Sequence, residues 1–170
     1  MPFTRERPAP QTGERETLLG WYAVQRGIIA LKCAGLADDL AHRIVIPTSS
    51  MMTIAGVVAH LTWSERLWFE HEFLGIDCDG PGFDGVNDSE FAAARGEPIA
   101  AVLAAYERQC AHSDDIIAGH DLSSLARRPA RVGPHRSLRW IVGHMLEETA
   151  RHAGHLDLLR ELLDGETSYT

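Results

Sequence analysis

The chain has 170 residues, 45% apolar and 24% charged, enough for one domain with a hydrophobic core and too few for two comfortable ones. Sixteen basic against 24 acidic side chains leave a formal net charge of −8, which argues against nucleic acid or an anionic membrane as partner, since both need a basic face. No stretch approaches the roughly 20 apolar residues of a membrane span.

The opening stretch, MPFTRERPAPQTGERE, has no apolar run of the signal-peptide kind, so a cytoplasmic protein is expected. Residues 1–12 read as a flexible arm ahead of a single domain. The first helix is predicted over about Glu14–Ala34, with Leu18, Tyr22, Ile28 and Leu31 near helical spacing and Gly35 as its stop. The second is predicted over about Met51–Leu74, with Ser49 or Ser50 as N-cap and Gly75 as the stop. The third begins at Pro98, a good first-turn residue, and runs to Gly119. The fourth follows Ser137 as N-cap and ends before Gly165.

Helices of this length are about 30–40 Å long. Their apolar faces are satisfied together in an antiparallel bundle, so an all-α four-helix bundle is expected. The connections, 35–50, 75–96 and 120–136, are long, as in bundles where a loop crosses an end or shapes a site. The middle one is rich in Gly and Asp, but its acidic spacing does not follow the calcium-loop pattern. Cys33, Cys78 and Cys110 are scattered and form no C-x-x-C pair, so isolated reduced thiols are expected. His42, His71, His112, His120 and His135 stand in polar or loop contexts and read as solvated.

The fourth helix holds the chemistry. Leu138, Ile141, Val142, Met145, Thr149, Ala153, Leu156, Leu159 and Leu163 are linked by steps of three and four and form one face. Glu148 and His152 fall on that face, His144 one turn before and His155 three residues beyond. Positions four apart differ by roughly 40° and rise about 6 Å, so Glu148 and His152 can aim at one point. Burying an ionised Glu unpartnered costs several kcal/mol. The alternatives are a protonated acid, a salt bridge to Arg139 or Arg151, or a metal ion. His60, three after Val57 and seven before Leu67 on the second helix, is either a core-edge histidine or a third ligand. Three protein ligands with open positions would be a catalytic arrangement.

Three stretches, LKCAGLADDL, PTSSMMTIAGVVAHLTWSERLWFEH and SLRWIVGHMLEETARHAGHLDLLRELLDG, make the chain resemble the DinB/YfiT-like superfamily, in its branch of small thiol-dependent transferases of actinobacteria. The resemblance implies an up-down-down-up four-helix bundle, frequently dimeric, with a divalent metal, usually zinc, near one end. Many members use three histidines, two of them as H-x-x-x-H on the last helix. Here Glu148 stands in the first of those places, as in the His, Glu, His set of the mycothiol-dependent maleylpyruvate isomerases. Residue by residue, the resemblance implies His60, Glu148 and His152 as metal ligands. Those isomerases carry a second domain, whereas this chain ends soon after the fourth helix, so a single-domain S-transferase is expected.

The expected activity is transfer of a low-molecular-weight thiol, mycothiol by resemblance, activated by the metal for attack on an electrophile. Arg139, His144, Arg151 and His155 are candidates for the polar rim that holds the thiol, and Trp63 for an apolar wall beside the electrophile. Trp68 and Trp140 read as packing anchors. The competing readings are a maleylpyruvate-type isomerase, a metal-dependent hydrolase, and a metal-binding stress protein without chemistry.

Overall fold

Four amphipathic helices cannot bury their stripes singly, and in the structure they bury them on one another. The computed structural model describes residues 3–86, 88–129 and 133–167. Among the described residues the elements are helical, in the order α1 (Glu14–Cys33), α2 (Asp38–Ala41), α3 (Ile54–Arg66), a π-helical segment (Leu67–Phe73), α4 (Ser89–Ala92), α5 (Ile99–Ala118) and α6 (Leu138–Asp164). No strand forms among them, and one isolated antiparallel bridge joins Leu125 to Ser137. The protein is all-α. No helix among the described residues is long and apolar enough to cross a membrane.

α1 packs chiefly on α6, and α3 on α5, α4 and α6. Acidic Glu14 and Glu16 in the first turn of α1 and Lys32 in its last suit the helix dipole. Ser137 caps α6 as expected, its Oγ accepting the Trp140 N–H at 3.2 Å, and Gly165 ends it at φ 78°, a left-handed conformation that favours glycine.

The second predicted helix differs at both ends. It starts at Ile54, because the Thr53 side chain, not Ser49 or Ser50, accepts the Gly56 N–H at 3.0 Å. After Arg66 it continues to Phe73 with π-helical i→i+5 bonding rather than as regular α-helix. Pro98 occupies the N-cap of α5 rather than its first turn, and the Ile99 N–H donates to the Asp38 carboxylate at 2.8 Å, tying α2 to the start of α5. Two of the long connections carry the short helices α2 and α4. The segment ahead of α1 lies along it: Pro8 packs over Gly20, and the Thr4 carbonyl sits where a side chain on Gly27 would have to go.

Two apolar clusters fill the bundle. One gathers Ile29, Ile54, Leu61, Tyr106 and Leu156, the other Tyr22, Phe69, Ile117, Leu138 and Met145. At the level where one gives way to the other lies a buried ionic knot. Arg26 is 2% exposed and Glu65 fully buried. Arg26 donates to both oxygens of Glu65, at 2.8 and 2.7 Å, and to Asp114 at 2.7 Å, while the Tyr22 O–H donates to Glu65 at 2.5 Å. Burial raises the Tyr22 phenol well above its ordinary range, which keeps that donor protonated. The paired geometry supplies the compensation that two charges removed from water require.

Candidate metal centre

The helical period sets His60 on the flank of α3 facing α6, and Glu148 and His152 one turn apart on the facing side of α6. Their side chains are 17%, 15% and 8% exposed. One carboxylate oxygen, Glu148 Oε1, lies 3.1 Å from His60 Nε2 and 3.2 Å from His152 Nε2. One ligand atom from each residue can be chosen so that all three lie within 4.8 Å of one another. Each imidazole nitrogen turned on that oxygen needs either a hydrogen to donate or a cation shared with the carboxylate. Hydrogen bonds from His152 and His60 hold the Glu148 carboxyl far below the usual carboxylate range, more than offsetting the effect of burial.

Salt bridging by arginine, the alternative for Glu148, is slight. Arg151 approaches Glu148 Oε2 only to 3.6 Å and pairs mainly with Glu147, while Arg139 donates to Glu14 on α1 at 2.7 Å. His155 places its Nδ1 3.3 Å from His152 Nδ1, directly behind that ring. Burial and the neighbouring His152 and Arg151 push the His155 imidazole below its ordinary value. His144 turns to aromatic company, stacked on Trp140 at 5.4 Å and edge-on to Trp68 at 4.5 Å, and burial lowers it likewise.

Trp63 lines a groove between α3 and α5. One end, of about 420 Å³, is walled by Ala59, Ala101 and Val102, and the other, of about 430 Å³, by Arg66, Glu70, Gln109 and His112, with Thr62, Trp63, Ala105 and Arg108 common to both. The groove runs along the face of α3 beside the one bearing His60 and includes none of the three clustered residues.

Sequence reasoning passed over three residues here. Glu90 places Oε1 3.2 Å from His60 Nδ1, and Phe91 stacks on the His60 ring at 4.3 Å with planes 12° apart. Glu90 and Phe91 sit on α4, inside a connection with no periodicity to reveal them. Ser64, one turn after His60, brings its Oγ to 3.4 Å from Nε2. Of the histidines read as solvated, His112 and His135 are exposed, whereas His42, His71 and His120 are half-buried. His42 bonds the Glu97 carbonyl across the bundle end, and His120, just past α5, turns back to bond the Ile116 carbonyl.

The three cysteines are free; Cys33 and Cys110 are buried and Cys78 half-buried. Burial pushes Cys33 up to about 12 and raises the other two as well, so none is disposed to be a thiolate.

The described residues thus form a helical bundle with a His–Glu–His cluster between α3 and α6 that could hold a metal ion. A family model described as Mycothiol-S-transferase matches residues 17–165, and the chain belongs to that family, within the DinB/YfiT-like group. It is thereby an enzyme of the thiol S-transferase kind. Comparison with curated proteins and with solved structures found no match.

Proposed function

We propose that the chain is a zinc-dependent S-transferase of the cytoplasm that joins mycothiol to an electrophilic small molecule, with the up-down-down-up single-domain bundle of its family. The observation that carries the metal is the sharing of Glu148 Oε1 by His60 Nε2 and His152 Nε2. The donor set fits: two imidazoles and a carboxylate are ordinary zinc ligands, and three of them leave a coordination position open. Zinc held there supplies a Lewis acid that deprotonates a coordinating thiol.

The chain's own residues do the rest. Two neutral imidazoles and one carboxylate offset only one of the ion's two positive charges, so the centre keeps a net attraction for an anionic thiolate. The thiol comes from the cosubstrate, in keeping with the raised cysteines. Mycothiol is a polar pseudo-disaccharide, and Arg151 and His155, beside Glu148 and His152, are the rim groups assigned to hold it. Arg139 and His144, engaged with Glu14 and with the tryptophans, act as outer support. Trp63 and the alanines beside it give the electrophile an apolar wall. Holding both reactants in one geometry makes the transfer effectively unimolecular.

The test is the metal content of the untagged chain beside a His152→Ala variant, followed by turnover of a model electrophile with and without thiol. One divalent metal per chain, lost in the variant, together with turnover that requires thiol, is the expected result. No metal in either, even after zinc is supplied, overturns the reading. Turnover without thiol would identify a hydrolase, and thiol-dependent conversion of maleylpyruvate an isomerase.

A further inference from the structure

We propose that Glu90 is a positioning residue that fixes which nitrogen of His60 faces the metal, with Phe91 holding the ring in plane. The inference rests on the metal reading above and extends it to a residue outside the ligand set. Glu90 Oε1 lies 3.2 Å from His60 Nδ1. An ionised carboxylate can only accept, so Nδ1 carries the hydrogen and donates it. With a metal at the site, Nε2, the nitrogen that faces Glu148 Oε1 at 3.1 Å, is then the one that would turn its lone pair on the ion. The Phe91 ring, nearly parallel to His60 at 4.3 Å, blocks the rotation that would bring Nδ1 round instead.

α4 is built to deliver this pair. It is four residues long, too short to hold its shape alone, and it packs on α3. Its first residue, Ser89, accepts the Gly82 N–H at 2.8 Å and donates to Asp84 at 2.9 Å, so the preceding loop ties the helix start in place. Glu90 and Phe91 follow at once, one at the edge of the imidazole and one on its face.

A carboxylate behind a ligating imidazole settles the tautomer and strengthens the opposite nitrogen as a donor, and its loss typically costs about 10–100-fold in metal affinity. The two rings of this centre differ in that respect. Behind His152 stands a second imidazole, His155, not a carboxylate. The effect of Glu90 should therefore be felt at His60 alone.

The experiment measures zinc affinity of the full chain by competition with a chelator, for the natural protein, Glu90→Ala and Glu90→Gln. Imidazole nitrogen NMR of the metal-free proteins at alkaline pH reports the tautomer of His60. Expected are a loss of about 10–100-fold in zinc affinity for Glu90→Ala, a smaller loss for Glu90→Gln, whose amide oxygen still accepts, and unchanged thermal unfolding without metal. In the metal-free natural protein Glu90 draws the hydrogen to Nδ1 and Glu148 draws it to Nε2, and the Nδ1 share should fall in Glu90→Ala, with His152 unaltered. Zinc affinity of Glu90→Ala within about twofold of the natural value overturns the proposal, since the second-sphere effect it invokes is at least several times larger. If the natural chain binds no zinc, the metal reading falls, and the tautomer still decides the role of Glu90: a shift in Glu90→Ala upholds it and an unchanged tautomer overturns it.

Discussion

Glu65 and Glu148 both lie on inward faces of long helices, yet their partners differ in kind. Glu65 accepts from a guanidinium that cannot lose its charge in the accessible pH range, and from a buried phenol whose proton is held fast. Every charge in that knot is answered by the chain itself. Glu148 faces two imidazoles, rings that serve as hydrogen-bond donors or as metal ligands according to which nitrogen carries a proton. The first arrangement is complete and closed, whereas the second has its compensation supplied by groups that can be replaced. That contrast distinguishes a carboxylate that ties α1 to α3 from one that, on the proposed function, would hold an ion.

Substitutions should separate the two regions. The largest effect is expected for Glu65→Ala, which leaves Arg26 buried with only Asp114 as carboxylate partner and should cost about 3–5 kcal/mol in urea unfolding, with zinc binding by the folded fraction intact. The double change Arg26→Met, Glu65→Leu should recover much of that loss, because an apolar pair needs no compensation. Next comes Glu148→Gln, which should lower zinc affinity at least about 100-fold, beyond the loss of any supporting partner, and abolish thiol transfer. Metal-free unfolding should stay within about 1 kcal/mol, since the shape is kept and the site is partly open to water. Tyr22→Phe removes one donor from the knot and should cost about 1.5 kcal/mol, with metal content unchanged. The smallest effect belongs to Thr53→Ala. It uncaps the helix that bears both His60 and Glu65, so about 1 kcal/mol of stability should be lost from both regions together, measured by thermal unfolding and by zinc affinity.

The same two regions show what a sequence discloses. Glu148 and His152 stand out because they interrupt an apolar stripe of period 3.6, and His60 does so more faintly. The resemblance to the family united them before any geometry was known. Glu65 stayed hidden: in SERLWFEHEF it is one acid among several polar residues, and only the packing of α1 and α5 against it makes that position interior. Glu90 was illegible for another reason. Its partner lies 30 residues away, and a loop helix of four residues has no period to read. The long helices and their glycine stops were apparent from local chemistry. The true cap at Thr53 was not, because Ser49, Ser50 and Thr53 are equally suited as caps and the choice among them is made by the segments packed around the helix start.

The π-helical segment Leu67–Phe73 has a consequence for how the gene can change length. One residue added to an α-helix rotates all that follows by about 100°; a wider turn absorbs such a residue and leaves both flanks in their own registers. Upstream, His60 and Glu65 hold their phase, and within the segment Phe69 and Phe73 join the cluster of Leu138 and Met145. A residue added just after Arg66, ahead of the buried Phe69, should thus be tolerated better than one added between His60 and Glu65. The helix is in effect jointed past Arg66, so a change of length beyond the joint does not draw the end that bears His60 along.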